Sequence, residues 1–279
     1  MLIERIWAAN EGRNYNYLVA CADTREALAI DPLNAEAVLQ RARDLGWTIR
    51  QIVNTHEHWD HTGGNAAVVG ATGAAVLAHA AAVGRIAGVT RGLAGGELVR
   101  VGRSVELHCL DTPGHTRAHV CLYAHASGSE PPALFSGDTL FNAGAGNCRH
   151  GGDPQLLYDS FVDPLGKLPD STRVFPGHDY VLRNLAFTLD REPGNAVARE
   201  LAQRIAALGG EAMPILTLGE ERQINVFFRL ESPEIVAGVR RMQILNALRS
   251  TQSGAQATSG PSSSARDIFL ALRELRNHW

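Results

Sequence analysis

The sequence predicts an α/β protein built of stacked layers with mixed sheets, and three observations support this. Short apolar runs bounded by turn residues, typical of strands, first follow one another and then alternate with segments of helical periodicity. Groups of His and Asp residues come where several of these runs end, which is where layered α/β proteins tend to place their sites. The chain has 279 residues and is 45% hydrophobic, which suffices for a large core domain with an appendage.

The first 180 residues supply most of the predicted strands. A helix is expected after the third strand, because Asn34 is a good cap and Gly46 a good stop for the periodic run between them. A helix of small residues is expected from about Gly64. Strands are predicted at residues 2–8, 15–22, 27–30, 49–53, 75–78, 120–124, 134–135 and 173–175, with a hairpin over 98–110.

The chain changes character after about residue 180. Residues 196–208 and 233–248 are predicted as helices and residues 224–230 as a strand. The segment 250–264 is rich in Ser, Gly, Ala and Thr, which is typical of a flexible linker or an exposed loop and favours mobility. The sequence therefore predicts a catalytic domain over residues 1–180 and a mainly helical, substrate-binding C-terminal region over 181–279 that contains this flexible segment.

The net charge, the apolar runs and the cysteines limit the partners and the cellular location that the sequence predicts. A formal net charge of -3 gives no support for a nucleic-acid or anionic-membrane partner. Glu4 and Arg5 interrupt the first apolar run, so it lacks the uncharged core of a secretory signal, and no later run is long enough to span a bilayer. Four cysteines without a CxxC pair are typical of buried thiols in a reducing compartment. We therefore expect a cytoplasmic protein.

The segment from Thr55 to His61 carries the strongest chemical signal. It places His56, His58 and His61 together with Asp60 in six residues. In an extended chain His56, His58 and Asp60 share one face, and His61 opens the following turn. Imidazole and carboxylate groups bind zinc, iron and manganese, whereas purely structural zinc sites usually use thiolates, which this segment lacks. The segment therefore predicts a functional metal site.

Three further candidate ligands follow predicted strands. His115 and His178 each follow a glycine in a tight turn, and Asp138 follows a glycine after an apolar strand. Each of these is weak alone, since Gly-His and Gly-Asp pairs are common in ordinary turns. With the first cluster they give five histidines and two aspartates, enough for two metals that share a bridging ligand.

Taken in order, these seven residues resemble the signature of the metallo-β-lactamase superfamily over most of residues 1–180. The resemblance implies an α/β fold of the four-layer αβ/βα sandwich type, with the metals at one edge of two packed sheets. It also implies how the ligands divide between two metals. The first metal would be held by His56, His58 and His115, the second by Asp60, His61 and His178, and Asp138 would bridge both.

The flanking sequences resemble the glyoxalase II family, the hydroxyacylglutathione hydrolases. The similar stretches are residues 137–141 followed by 143–144, residues 176–180 with Asn184, residues 192–195, and the helical C-terminal region. Arg273 and Arg276 lie three residues apart, nearly on one side of the last helix. In the family a matching cationic pair binds the glutathione part of the substrate, and the tyrosine that matches Tyr180 also contacts it. Without the resemblance, the two arginines would be interpreted as ordinary solvated surface.

One loop departs from the family pattern. Glyoxalase II usually has Gly-Cys-Gly-Lys or Gly-Cys-Gly-Arg after the Ala-Gly pair, and its basic residue binds the substrate. Here Asn147 occupies the basic position, and the loop is one residue longer. Arg149 is the expected substitute, with a different reach, so the departure bears on glutathione selectivity and leaves the metal chemistry unchanged.

The resemblance implies hydrolysis of a thioester such as S-lactoylglutathione by a hydroxide that bridges two divalent metals. Metals lower the pKa of bound water from about 15.7 towards about 7, and a thiol of pKa roughly 8.5 leaves with little help from an acid. Zinc is the expected metal, with iron or manganese as alternatives. We expect Asp60 also to orient the hydroxide, and Asp31 either to hydrogen-bond a ligand histidine or to start the turn before Pro32.

Other activities of the superfamily remain as alternatives. The main one is an iron-dependent glutathione persulfide dioxygenase, which shares the first motif but binds one iron through two His and an Asp. A β-lactamase is disfavoured by the carboxylate at position 138 and by the missing secretory signal. A nuclease of the superfamily would need a further domain and a basic face, neither of which is visible in the sequence. A scaffold that has lost its metals is disfavoured because all seven candidate ligands are present.

Overall fold

A computed structural model describes residues 1–208, 213–252 and 264–279 of the chain, with residues 245–252 described by their backbone only. The strands are β1 Leu2–Trp7, β2 Tyr15–Ala20, β3 Glu26–Ile30, β4 Thr48–Asn54, β5 Ala75–His79, β6 Val89–Leu93, β7 Leu98–Val101, β8 Val105–Asp111, β9 Val120–Ala124, β10 Ala133–Gly137, β11 Leu140–Phe141, β12 Gly144–Ala145 and β13 Arg173–Pro176.

The helices lie between the strands in the first part of the chain and form most of the second part. They are α1 Ala35–Asp44, α2 Trp59–Thr62, α3 Asn65–Thr72, α4 Pro154–Val162, α5 Val181–Arg191, α6 Ala196–Ala207, α7 Leu218–Ile224, α8 Pro233–Gln252 and α9 Ala265–His278, with short 3₁₀ turns at Ala80–Ala82 and Leu165–Lys167. As predicted, Asn34 caps α1, with its side chain accepting from the Ala37 N–H at 3.1 Å.

The strands form two mixed sheets and a small ribbon. The first sheet has six strands in the order β1-β2-β3-β4-β5-β6, antiparallel up to β3 and parallel from there on. The second has five strands in the order β13-β10-β9-β8-β7, with β10 and β13 as its parallel pair. The ribbon pairs β11 with β12.

Three apolar clusters show that the two sheets pack face to face between helices. The cluster between the sheets contains Tyr17 and Val19 from the first sheet and Leu107 and Phe135 from the second. On the outer face of the first sheet α1 and α3 pack over β2, β3 and β4. On the outer face of the second sheet α4, α8 and α9 pack over β9, β10 and β13. This confirms the predicted four-layer α/β sandwich with a helical C-terminal region.

Tyr17 links the two sheets at the edge where the candidate site lies. Its ring packs edge-on against Phe135 and Phe175, with centroids 5.4 and 5.7 Å away. Its hydroxyl donates to the Pro176 carbonyl at 2.7 Å. The last residue of β13 is therefore fixed relative to the first sheet, which places the loop after it beside the loop after β4.

Two predicted segments differ from the structure. The strand predicted at 224–230 is wrong, because α7 ends at Ile224 and turns follow it. Val226 and Phe227 are apolar because they fill the cluster beneath the C-terminal helices, and the Asn225 amide donates to the Gly144 carbonyl at 3.0 Å in place of strand pairing. Of the predicted linker at 250–264, the first three residues belong to α8, Ser264 caps α9, and the remainder lies outside the described residues.

No helix within residues 1–208, 213–252 and 264–279 has both the length and the apolar character needed to cross a membrane.

A close backbone contact holds α3 against the loop that carries Asp31. A Cβ atom on Gly64 would lie 1.8 Å from the Pro32 carbonyl oxygen. We expect Gly64→Ala to lower the free energy of unfolding by about 1–3 kcal/mol or more, since neither backbone segment can yield without moving strands.

The matched control is Gly70→Ala, in the same helix, where nothing lies within 4 Å of the added Cβ. It should leave stability unchanged or raise it by about 0.5–1 kcal/mol, because alanine favours a helix over glycine. Chemical denaturation of both variants measures the difference. Equal stabilities would show that the contact at Gly64 imposes no constraint.

Candidate metal centre

The first motif leaves the central strand of the first sheet at the edge between the two sheets. Strand β4 ends at Asn54, residues 55–57 form a bend, and His58 is extended immediately before α2. The predicted extended face is therefore wrong, because the chain bends at His56 and α2, which begins at Trp59, carries Asp60 and His61 on one helical turn. Asp60 therefore reaches the site from a helix and not by strand alternation, which corrects that part of the prediction.

The other three candidates come from the second sheet. His115 lies in the loop between β8 and β9, Asp138 follows β10, and His178 follows β13. Glycines precede the last two for steric reasons. A Cβ on Gly137, whose φ is +47°, would lie 2.6 Å from Thr55 Oγ1, and a Cβ on Gly177 would lie 2.4 Å from Asp138 Oδ1.

The structure brings all seven predicted ligands together, in two neighbouring groups. In the first group His58 Nδ1 lies 3.0 Å from His56 Nε2 and 3.0 Å from His115 Nε2. In the second, His61 Nε2 and His178 Nε2 are 3.2 Å apart. Asp60 Oδ2 lies 3.7 Å from His61 Nε2 and 3.4 Å from His178 Nε2. The potential ligand atoms within each group all lie within 4.8 Å of one another, and so do those of a third set, His56, His61 and Asp138, which overlaps the first two groups.

Asp138 lies between the two groups. Its Oδ1 is 3.4 Å from His61 Nε2, and its Oδ2 is 3.3 Å from His178 Nε2 and 3.5 Å from His115 Nε2. The carboxylate therefore faces histidines of both groups, and it is only 6% exposed.

The charges around the histidines divide them into two kinds. Burial lowers the pKa of His56 well below its usual range, with His61 adding to the effect, and burial lowers the pKa of His115 to about 4. Burial opposes protonation of His61 too, but Asp138 and Asp31 outweigh it and raise its pKa to about 9. Asp138 likewise raises the pKa of His178 against burial. Around the aspartates, then, the site favours positive charge.

These residues fit divalent metal ions. Asp138 is buried and its pKa lies well below the usual range despite burial, because His178 and His61 stabilise its charge, yet its Oδ1 has no hydrogen-bond partner. A buried carboxylate oxygen without a donor is costly unless a cation meets it. Neutral imidazole nitrogens about 3 Å apart also repel unless a proton or a metal lies between them. The cluster is thus a site for divalent metals.

Hydrogen bonds behind the ligands hold the rings in place. His61 Nδ1 lies 2.9 Å from Asp31 Oδ2, His115 Nδ1 lies 2.6 Å from the Asn147 carbonyl, and His178 Nδ1 lies 2.6 Å from the Gly12 carbonyl. Each contact leaves the Nε2 atom free to face the centre.

Asp31 is the predicted partner residue among these. It is 3% exposed and has a left-handed φ of +48° at the end of β3. Its Oδ1 accepts from the Thr55 N–H at 2.8 Å and its Oδ2 from the Thr55 hydroxyl at 2.7 Å. One carboxylate thus fixes both the start of the first motif and the His61 ring.

Two residues at the site were missed by the sequence reasoning. His119 is fully buried, and its Nε2 accepts from the Asp138 N–H at 3.1 Å, so it orients the backbone at Asp138. Its position four residues after His115 is a sequence signal for this role. Asn14 donates to Asp60 Oδ2 at 3.2 Å and to the Asp60 carbonyl at 3.0 Å, and nothing in its sequence context indicated this.

Two cavities open beside the cluster and share a wall. The first is lined by Trp59 and by five of the seven candidate ligands, which are His58, Asp60, His115, Asp138 and His178. The second, of about 270 Å³, is lined by all four residues predicted to bind substrate: Arg149, Tyr180, Arg273 and Arg276. The shared wall consists of Phe141, Asn147, His150 and Tyr180.

Asp31→Asn tests the support of His61. The variant removes one carboxylate oxygen that His61 Nδ1 and Thr55 depend on, so we expect metal affinity to fall roughly 10–100-fold. Competition with a chelator of known affinity measures it. Asp44→Asn, at the end of α1, is the control and should leave the affinity unchanged.

The pKa of His61 gives a pH dependence for metal binding. Because that pKa is raised to about 9, His61 is protonated at pH 7 without metal and must lose its proton to become a ligand. Metal affinity should therefore rise with pH up to about pH 9 and fall as pH decreases. Calorimetric titration in buffers of different ionisation enthalpy should detect proton release at pH 7; no release would contradict this charge assignment.

Comparisons with known proteins agree with this geometry. A model of the metallo-beta-lactamase superfamily matches residues 10–178, and a model of the hydroxyacylglutathione hydrolase C-terminus matches residues 179–279. Relatives named hydroxyacylglutathione hydrolase from Polaromonas sp. and Nitrosococcus oceani are 52% and 50% identical, and each match covers 100% of both chains.

A solved structure supports the fold. A metallo-beta-lactamase from Staphylococcus aureus superposes with a TM-score of 0.61 at 20% identity, over 98% of this chain and 72% of that one. The chain belongs to the metallo-beta-lactamase superfamily and, within it, to the hydroxyacylglutathione hydrolase family.

Proposed function

We propose that this protein hydrolyses hydroxyacylglutathione thioesters, with S-lactoylglutathione as the first candidate, using two divalent metal ions. The observation that carries the proposal is a pair of neighbouring cavities that share a wall. One is lined by five of the seven candidate metal ligands, and the other is lined by cationic side chains suited to the carboxylates of a glutathione-derived thiol.

The proposed ligands divide as the two groups do. His56, His58 and His115 would hold one ion, Asp60, His61 and His178 the other, and Asp138 would contact both. Zinc is the proposed metal, and iron or manganese are alternatives because the set contains only nitrogen and oxygen donors. Such ions lower the pKa of water towards about 7 and polarise the carbonyl under attack.

Asp60 is the proposed catalytic carboxylate. Its side chain is 36% exposed, against 8% for Asp138, so it faces the cavity that would receive the acyl group. Asn14 fixes Asp60 Oδ2 from behind. Asp60 can therefore orient the attacking water and accept its proton, while the thiolate leaves unaided because the pKa of such a thiol is only about 8.5.

The thiol part of the substrate would occupy the cation-lined cavity. Tyr180 belongs to both cavities and stacks on His178, with ring centroids 4.8 Å apart. Arg276 is half-buried and donates to Asn184 Oδ1 at 3.1 Å. Arg273 is 4% exposed and donates to the Ala145 and Gly146 carbonyls at 2.7 and 3.0 Å, so it builds the cavity wall as well as adding charge.

The family relationship favours hydrolysis over the persulfide dioxygenase alternative, because the hydroxyacylglutathione hydrolase model covers the C-terminal residues 179–279. We also propose the division into a catalytic part over 1–180 and a substrate-binding part over 181–279. The cytoplasm is the proposed location, since all four cysteines are free thiols, which a reducing compartment preserves.

The test is turnover of S-lactoylglutathione by protein whose metals have been counted. We expect about two metals per chain, loss of activity on chelation and recovery on adding zinc. Asp138→Asn should lower the metal content and reduce kcat at least about 100-fold, since it removes the charge shared by both groups. The control is Asp44→Asn. A single iron with oxygen uptake and no hydrolysis would support the dioxygenase instead.

A further inference from the structure

The cation-lined cavity holds four guanidinium groups. They belong to Arg149, Arg183, Arg273 and Arg276, and none of the residues that line the cavity in the described chain carries a carboxylate. Mutual repulsion is visible at Arg276, whose pKa is lowered to about 10 by burial and then by Arg183. Such an arrangement is stabilised by an anion.

Three of the four guanidiniums already have acceptors in the protein. Arg149 donates to the Asn277 carbonyl, Arg273 to two loop carbonyls, and Arg276 to Asn184 Oδ1. Arg183 makes no hydrogen bond or ion pair with any other part of the chain that the structure describes, and its side chain is exposed at the cavity. Of the four, it is the cation whose donors are all available to a ligand.

Arg183 occupies a position where its charge does not stabilise the helix. It lies in the first turn of α5, where the helix dipole disfavours a cation, and no acidic residue occupies that turn. Tyr180, before the helix, provides no capping hydrogen bond from its side chain. A bound carboxylate would balance both the guanidinium and the positive end of the helix.

Asn147 adds no charge to the cavity. It lines the same cavity, and its amide is neutral. Its Oδ1 accepts from the Arg149 N–H at 3.0 Å, and its carbonyl lies 2.6 Å from His115 Nδ1, so both oxygens already have partners. Arg149, the substitute expected from the sequence, is bound to the end of α9.

We propose that Arg183 binds a carboxylate of the glutathione part of the substrate and supplies the cation that position 147 lacks. This inference rests on the proposed hydrolysis of glutathione thioesters. It assigns to Arg183 a role in affinity for the thiol and none in the chemical step, because Arg183 does not line the cavity that contains the metal ligands.

Steady-state kinetics of Arg183→Ala and Arg183→Lys test the assignment. For S-lactoylglutathione we expect Arg183→Ala to raise KM about 10-fold or more and to change kcat less than about 3-fold, because a charge-assisted hydrogen bond is lost equally in the bound and transition states. Arg183→Lys should restore much of the loss as a point charge. The melting temperature of Arg183→Ala should not fall, since the helix dipole disfavours the arginine.

Two controls make the result specific. Arg204→Ala, on the exposed face of α6, changes the net charge equally and should leave KM unchanged. The lactoyl thioester of N-acetylcysteamine, whose thiol has no carboxylate, should be hydrolysed equally by the wild-type protein and Arg183→Ala. A KM for S-lactoylglutathione within about twofold of wild type in Arg183→Ala would overturn the proposal.

Equilibrium binding of reduced glutathione separates this inference from the proposed function. If the wild-type protein fails to hydrolyse S-lactoylglutathione but binds glutathione, and Arg183→Ala weakens that binding about 10-fold, the proposed function falls and the role of Arg183 stands. If hydrolysis is efficient and glutathione binding is the same in both proteins, the role of Arg183 falls and the function stands. A wild-type protein that binds no glutathione overturns the role of Arg183.

Discussion

The constraint on which the structure depends is the buried charge of Asp138. A carboxylate that is nearly inaccessible to water needs positive charge beside it, and the chain supplies this with His61 from the first sheet and His178 from the second, whose pKa values are both raised. The turn after β10 must direct the carboxylate into the site, and only a glycine at 137 permits this. The turn after β13 must contact the carboxylate, and only a glycine at 177 permits that contact. The packing of the two sheets around Tyr17 can be understood as the frame that keeps these turns together.

Behind the candidate ligands, single hydrogen-bonding groups each hold two residues in place. Asp31 binds both Thr55 and His61, and the Gly12 carbonyl is contacted by both His178 Nδ1 and the Tyr180 hydroxyl. The second of these links the cluster to the cation-lined cavity, since Tyr180 lines it. A displacement of the loop around Gly12 would move His178 and Tyr180, the proposed metal ligand and the proposed substrate contact, together.

The sequence could predict those parts of the site whose residues lie close together along the chain. His56, His58, Asp60 and His61 are adjacent in the chain, so their spacing alone indicated a metal site. His119 and Asn14 act through contacts that join distant segments, and no local pattern marks such contacts. The strand predicted at 224–230 failed for a related reason: Val226 and Phe227 have strand-like composition, but their partners are helices brought in from elsewhere. The layered fold was predictable because the alternation of strands and helices can be recognised from the local sequence pattern.

The wall that the two cavities share has a consequence for the timing of the reaction. In the proposed reaction this wall of Phe141, Asn147, His150 and Tyr180 would lie between the bond that breaks and the bound thiol, so cleavage would alter nothing around the guanidinium groups. The departing thiol would keep the contacts that the intact substrate had with them. Each cation that strengthened binding of the substrate would therefore also lengthen the residence of the product, so that fast binding would oppose fast release.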